Sequence, residues 1–456
     1  MSLIKQLHLN IQKVRETYQG MIKLPLLFFF CYNTNMSNNF RHTLKWLILL
    51  ILAGITAGAI ASFLALIIHH IQLLSFGTSP EGAYATDIHT VTATRRIISV
   101  LLSGCLAAFG WFFMTKKMKP LHTIKETSQK HIMPNPLTNL VHGFIQLVTV
   151  SMGSPLGREG ATREVAVATA AIWIEPLNIS KEDKGLLLAC TSGAALGAVY
   201  NAPIATVFFI IESILYQWNK RNLFASVIVS FVAVFTLRVF SGNGVQYQLS
   251  ALSWNTDLYM WLLLASIVIA ILANLFKKLI NDIPKRDMTK MSFPISVFSA
   301  FAIVALLSVS YPQILGNGKA GLLYFLHQDY QITYTTGLVL AKAAAVFLTL
   351  YVGTFGGKIA PAMMLGGGTA LIFASSWNSL TSADVSLQFA TIIGAAIWLA
   401  IINNIPLAAI FFLIEITGQP LVNTIPLAIA MGVAYFTKFV LERITLKLQK
   451  HSKNKK

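Results

Sequence analysis

The sequence places an arginine and a glutamate side by side in a glycine-rich break within apolar sequence. The break covers residues 153–161 (GSPLGREGA), and Arg158 and Glu159 are its charged residues. An ionised side chain at the centre of a bilayer costs roughly 2.5–3.5 kcal/mol, so these charges need a function or a polar surrounding. Glycine and proline interrupt helices, and a helix that starts at such a break offers backbone N–H groups to an anion. The segment predicts an anion site, with a polar turn at the membrane surface as the alternative.

A second glycine-rich break lies 200 residues further along the chain. Residues 353–358 (GTFGGK) repeat residues 153–158 (GSPLGR), so Lys358 corresponds to Arg158. If the helices after both breaks converge, each N-terminus contributes about half a positive charge, and a substrate held between them would be an anion. Glu159, when ionised, would compete for that place. The pattern therefore predicts Glu159 as a gate that moves out when it is protonated.

A longer repeat follows each break. Residues 201–212 (NAPIATVFFIIE) align with residues 404–415 (NIPLAAIFFLIE) and share the Asn, the Pro, the Phe-Phe pair and the Glu. This match indicates an internal duplication, and repeats that each carry a glycine-interrupted segment point to a transport site near the bilayer midplane. Glu212 and Glu415 are equivalent, and we expect them to cap or pair at helix ends.

The composition is that of a polytopic α-helical membrane protein. Hydrophobic residues make up 55% and charged residues 11% of the 456 residues. Several apolar runs exceed the roughly 18 residues of a transmembrane helix, and shorter runs predict broken or re-entrant helices. The net charge of +18 would suggest nucleic acid for a soluble protein. Because Lys and Arg lie mostly in short loops and tails, we expect a lipid bilayer and no nucleic acid.

The basic loops and tails also predict the orientation and the domain boundaries. The positive-inside rule puts them, with both termini, in the cytoplasm, and we expect the cell inner (plasma) membrane. We expect a cytoplasmic or interfacial segment at 1–44, a transmembrane domain at 45–441 and a basic cytoplasmic tail at 442–456. Within the domain, the first repeat covers about 45–216 and the second about 222–441.

The chain carries no motif for catalysis or for a cofactor. Residues 353–358 superficially resemble a phosphate-binding loop, but one residue is missing between the glycines and Ile359 replaces the required Ser or Thr. The three cysteines, Cys31, Cys105 and Cys190, have no spacing that indicates a disulfide framework or a metal site. We expect neither enzymatic activity nor a cofactor.

The residues at the two breaks resemble the signatures of the CLC family of chloride channels and proton/chloride exchangers. Residues 157–160 (GREG) resemble the Gly-Arg/Lys-Glu-Gly-Pro signature, and residues 357–361 (GKIAP) resemble the Gly-x-Phe-x-Pro signature. The likeness runs from about residue 45 to 440. It implies an all-α membrane fold built as an inverted-topology repeat of tilted, partly re-entrant helices. It also implies chloride as the transported ligand and a homodimer with one pore in each subunit.

The resemblance further implies roles for individual residues. Glu159 corresponds to the gating glutamate of the family. The backbone amides of Arg158, Glu159 and Gly160 are expected at an outer anion site. Those of Lys358 and Ile359 are expected at a central site.

The departures from the family pattern bear on mechanism. The third signature, Gly-Ser-Gly-Ile-Pro, is expected near residues 116–120 (KKMKP), where only the proline matches. Lys117 then replaces a chloride-binding serine, and its ammonium either strengthens an anion site or is solvated in the cytoplasm. Family exchangers carry a proton-transferring glutamate after Glu212, where this chain has Ser213, and residues 443–448 lack the pore-lining tyrosine. Proton transfer by Glu212 itself is the alternative to its capping role. These departures favour a passive chloride channel. A proton-coupled exchanger, a secondary transporter of another anion and a scaffold without a pore are the alternatives.

Overall fold

The structure, a computed structural model, describes residues 38–77, 87–123, 126, 132–327 and 330–453. These residues are largely helical and contain no β-strand. The helices are α1 (Asn38–Phe76), α2 (Ala93–Lys117), α3 (Pro136–Ser151), α4 (Glu159–Ile174), α5 (Lys181–Tyr200), α6 (Pro203–Phe209, continued by a π-helix at Ile210–Leu215), α7 (Lys220–Ser241), α8 (Thr256–Asn281), α9 (Ser292–Ser310), α10 (Lys319–Leu326), α11 (Ile332–Tyr351), α12 (Ile359–Thr381), α13 (Leu387–Asn403), α14 (Pro406–Thr417) and α15 (Thr424–Lys453), with short 3-10 turns at Pro312–Ile314 and Leu421–Asn423.

Many of these helices are long and apolar enough to cross a membrane. Within the described part of the chain, eight meet this condition: α1, α2, α7, α8, α9, α11, α12 and α15. Three apolar helices are shorter, at Pro203–Leu215, Leu387–Asn403 and Pro406–Thr417. At 1.5 Å per residue each is shorter than a hydrocarbon layer of about 30 Å. The predicted polytopic α-helical membrane protein with broken helices is confirmed.

The core lies around α12 and α13. Helix α12 is far more buried than the other membrane-spanning helices, since 78% of its most apolar 18-residue stretch is buried inside the protein. Gly366 of α12 and Gly394 of α13 allow the backbones of the two helices to approach each other closely. A Cβ on either glycine would collide with the carbonyl oxygen of the other. Small residues at a crossing let transmembrane helices pack by backbone contact.

The two halves of the chain are related by an internal two-fold. Phe208 and Phe411 are equivalent in the repeat, and their rings stack on each other at 4.9 Å between centroids. Gly157 and Gly357, also equivalent, form an isolated antiparallel bridge. Contacts between equivalent positions require a two-fold axis between the halves, which is the arrangement of an inverted-topology repeat.

Backbone geometry explains why the repeat preserves its Asn and Pro. Asn201 and Asn404 end α5 and α13 in the left-handed conformation, with φ of 57° and 56°. Asparagine tolerates this conformation better than most residues. Pro203 and Pro406 begin α6 and α14, where the missing N–H has no helical partner to lose. Each pair therefore ends one helix and starts the next.

The chain divides into two units, residues 1–49 and 50–456. The predicted N-terminal segment at 1–44 lies mostly outside the described residues, and its last part belongs to α1. The predicted tail at 442–456 is helical over its described part, because α15 continues through Lys453.

Candidate functional site

The two glycine-rich breaks lie against each other. The N–H of Gly157 donates to the carbonyl oxygen of Gly357, and the N–H of Gly357 donates to that of Gly157, both with N···O distances of 2.7 Å. We call this contact the glycine junction. Helix α4 begins at Glu159 and α12 at Ile359, each two residues after its junction glycine. The N-termini of the two helices therefore converge at one place, as the paired breaks predict.

The Glu159 carboxylate lies in the glycine junction. A Cβ added to Gly157 or to Gly357 would overlap its Oε2. The Tyr200 hydroxyl donates a short hydrogen bond to Oε1, and the N–H of Ala360, in the first turn of α12, donates a longer one at 3.4 Å. Glu159 is only 1% exposed. The carboxylate of one repeat thus occupies the N-terminus of the other repeat's helix, where backbone N–H groups and the helix dipole attract an anion.

Positive side chains flank the junction. Arg158 and Lys358 immediately precede α4 and α12, and both are partly buried. Neither forms an ion pair with a carboxylate among the described residues. The Nε of Arg158 is buried and has no hydrogen-bond partner there. Cations next to two helix N-termini favour an anion over a cation at this place.

A cavity of about 240 Å³ lies beside Arg158. Its polar lining includes Arg158, Lys319, Gln246 and Asn201, and no acidic residue lines it. Lys319 Nζ donates to Gln246 Oε1 at 3.2 Å, which holds the ammonium in place. The cavity is therefore lined by two cations, and one of them, Arg158, directly precedes Glu159.

The remaining predicted site residues divide into two groups. Gly160 lies in the first turn of α4, where an added Cβ would be 3.7 Å from the N of Gly357, and Ile359 is buried at the start of α12. Both therefore lie at the junction. Lys117 is exposed at the end of α2, with its Nζ 5.8 Å from the centroid of the Phe113 ring. It has no described contact with the junction, so its placement favours a solvated lysine.

Sequence reasoning missed two residues near the site. Tyr200, the donor to Glu159, directly precedes the repeated Asn, where the second repeat has Asn403, so the difference between the repeats was the available signal. Lys342 lies in the middle of apolar α11 and is fully buried. Its Nζ donates to the carbonyl oxygens of Ile314 and Gly316 at 2.8 Å each. An ionisable residue inside an apolar span was the signal for Lys342.

The described residues hold no group of three or more His, Cys, Asp or Glu side chains that could bind a metal ion.

Glu212 and Glu415 cap helices of the opposite repeat. The two oxygens of Glu212 accept from the N–H groups of Leu407 and Ala408, at 3.1 and 3.0 Å. Those of Glu415 accept in the same way from the first turn of α6, at 3.0 and 2.8 Å. These bonds confirm the expectation that both glutamates cap helix ends.

We expect Glu212→Gln and Glu415→Gln each to lower the free energy of unfolding by about 1–2 kcal/mol, because an amide offers only one good acceptor to two N–H groups. Thermal unfolding in detergent measures this loss. Glu442→Gln is the control, since Glu442 is exposed on α15 and its one ion pair, with Lys438 at 4.0 Å, is a surface pair of little energetic weight. Equal stability of all three variants would contradict the capping role.

Solved structures with the same fold include two antiporters. A slow cyanobacterial Cl⁻/H⁺ antiporter superposes with a TM-score of 0.72 at 18% identity, covering 87% of this chain and 95% of that chain. A CLC-type fluoride/proton antiporter gives a TM-score of 0.66 at 17% identity, with 88% and 96% covered.

Relatives in sequence include voltage-gated ClC-type chloride channels named ClcB. The protein of Citrobacter koseri is 26% identical over 386 residues, which cover 82% of this chain and 91% of the relative. That of Escherichia coli K12 is 24% identical over 383 residues, with 81% and 91% covered. The family model described as voltage gated chloride channel matches residues 100–438. The chain therefore belongs to the voltage-gated chloride channel (CLC) family, and it is an integral membrane protein.

Proposed function

We propose that this protein moves chloride, or a similar small anion, through a pore that passes the glycine junction and that Glu159 gates. The position of the Glu159 carboxylate carries this proposal, because it fills the place at the start of α12 that suits an anion. The ionised carboxylate excludes the anion. The protonated side chain leaves the junction and admits it.

The backbone amides at the two helix starts bind the anion. We assign those of Arg158, Glu159 and Gly160 to an outer site and those of Lys358 and Ile359 to a central one. The two flanking cations raise the local anion concentration. Lys117 stays a candidate on the resemblance alone, because its exposed side chain has no described contact with this group.

We infer passive conduction in preference to proton-coupled exchange. Glu212 is held as a helix cap by two amides, and Ser213 follows it where a second carboxylate would be needed to relay protons. Exchange is the second candidate, supported by two antiporters of the same fold. A secondary transporter of another anion is the third.

The surroundings of the pore follow from the resemblance and from the distribution of charge. We propose a homodimer in the cell inner membrane, with both termini in the cytoplasm and with repeats at about 45–216 and 222–441. The protein is not an enzyme, and chloride is its ligand without a cofactor.

Chloride efflux from proteoliposomes tests the function. Passive conduction predicts efflux only when a potassium ionophore removes the opposing voltage. An exchanger would also need the ionophore, because Cl⁻ efflux and H⁺ uptake both move positive charge inward. Proton uptake driven by the chloride gradient, with the ionophore holding the voltage near zero, would therefore show an exchanger and contradict the channel. Saturable uptake of an organic anion that ignores chloride would favour the third candidate. If no anion moves under any of these conditions, the proposal fails.

A further inference from the structure

A buried polar cluster lies behind the gate. His142 and Gln146 are one turn apart on α3, and Glu164 faces them from α4. The Nδ1 of His142 is 2.5 Å from Glu164 Oε2, and Gln146 Nε2 is 2.9 Å from that Nδ1 and 3.1 Å from that Oε2. The His142 side chain is 0% and that of Glu164 18% exposed. Ionisable groups inside a membrane protein point to function, and the anion site described above does not use these two.

We assign the protons of this cluster from its short contact between His142 and Glu164. A carboxylate only accepts hydrogen bonds, so the contact between Nδ1 and Oε2 needs a proton between the two atoms. With that proton on Nδ1, the Gln146 amide donates to Oε2, and Nε2 of His142 keeps a free lone pair. This Nε2 is buried without a hydrogen-bond partner in the described part of the chain. A proton from water that forms an N–H bond there makes an imidazolium beside the carboxylate, and the pair changes from negative to neutral.

The groups around the imidazole are aromatic or apolar. Helix α2 presents Trp111, at 6.1 Å between ring centroids, and the turn before α12 presents Phe355 at 4.4 Å. The parts of α1 packed on α3 are leucine and isoleucine. Lys116 and Lys117 of α2 are exposed, with their ammonium groups over phenylalanine rings. Glu164 is therefore the acid or base that faces the ring in the described part of the chain. The cation that interacts with Glu164 is Arg163 of α4, whose Nε donates to Ser192 Oγ at 3.1 Å.

The cluster is connected to the gate by contact and by charge. A Cβ added to Gly160 would lie 2.8 Å from Gln146 Oε1, so the amide packs against the residue after Glu159. Glu164 follows Glu159 by five positions on α4, which is about 7.5 Å along the helix axis. Arg163 of α4 interacts electrostatically with both Glu164 and Glu159, so a change of charge on Glu164 reaches Glu159 through one connected group of charges.

We propose that His142 and Glu164 form a proton-binding pair that sets the pH at which the Glu159 gate opens. Both are positioning residues, because they act through Glu159. The inference rests on the proposed gating by Glu159. When the pair is negative it disfavours an ionised Glu159, and the gate opens at higher pH. When the pair has bound a proton, that effect is absent.

Anion efflux from proteoliposomes at a series of pH values tests the pair. Glu164→Gln removes the negative charge, so the pH of half-maximal flux should fall, by about one unit. His142→Gln keeps the carboxylate without an imidazolium, so this pH should rise. Glu175→Gln, an exposed acid at the other end of α4, should not move it. In a Glu159→Ala background neither cluster variant should have an effect.

If the pH of half-maximal flux shifted in the same direction in both cluster variants, or did not shift in either, the proposed proton-binding pair would be wrong. A second measurement does not depend on transport. The ¹⁵N shifts of labelled His142 should show a proton on Nδ1 and none on Nε2 at high pH, and Glu164→Gln should change this pattern. An unchanged spectrum overturns the pair, whereas absence of anion flux with the expected spectrum overturns only the proposed function.

Discussion

Glu159→Ala is expected to make anion flux nearly independent of pH while conduction persists. In the native chain the ionised carboxylate fills the glycine junction and takes the N–H of Ala360, so flux should rise as the pH falls and the carboxylate gains a proton. Alanine leaves the junction open at every pH. At alkaline pH we expect flux to increase roughly tenfold or more, which corresponds to about 1.4 kcal/mol for displacing the carboxylate. Chloride efflux with a potassium ionophore, measured across a pH series, gives both quantities.

Three further variants separate gating from general damage. Glu159→Gln cannot ionise but keeps its shape, so it should also lose the pH response. Tyr200→Phe removes the hydroxyl that holds the carboxylate and should raise flux at alkaline pH while the pH response remains. Glu175→Ala removes an exposed acid from the same helix and should behave as the native chain. A Glu159→Ala protein with the native pH response would contradict the assignment of the gate.

The main features of the fold follow from local sequence rules that the chain applies twice. Apolar runs predicted the spans, and the two glycine-rich breaks predicted helix starts that converge. Asn201 and Asn404 each end a helix in the left-handed conformation, a local requirement that marks the repeat in the sequence. Glu212 and Glu415 cap helices of opposite repeats, so their symmetry was also a usable signal.

The partners of the buried polar groups were beyond the reach of sequence patterns. Tyr200 contacts Glu159 across 41 positions, and the spacing of residues does not say which helix faces which. The Lys342 ammonium donates to carbonyl oxygens of a preceding turn. From the sequence alone, a lysine in an apolar span is equally compatible with a side chain that lines a pore. His142 and Glu164 meet because α3 and α4 pack side by side. Each contact depends on helix packing, which apolar sequence leaves open because lipid-facing and protein-facing residues are alike.

A methyl group at Gly357 is expected to stop transport even when the gate is absent. An added Cβ there would overlap Glu159 Oε2, so it fills the volume that the carboxylate now occupies. If the anion takes that same volume, the methyl group excludes the anion as well. In a Glu159→Ala background, Gly357→Ala should therefore lower chloride efflux by about tenfold or more. Gly157→Ala should act in the same way, because the two glycines are equivalent across the two-fold axis.

Gly432→Ala is the matched control for the expected loss of flux in Gly357→Ala. A Cβ added to Gly432 of α15 would meet nothing within 4 Å, so this variant has the same chemical change without the steric overlap. Both changes restrict the unfolded chain equally, and thermal unfolding in detergent shows whether Gly357→Ala retains the fold. A folded Gly357→Ala protein that conducts as well as Gly432→Ala would mean that the anion passes outside the glycine junction. Loss of flux with the fold retained would instead mean that the anion and the Glu159 carboxylate use one volume, because an uncharged methyl group blocks by size alone.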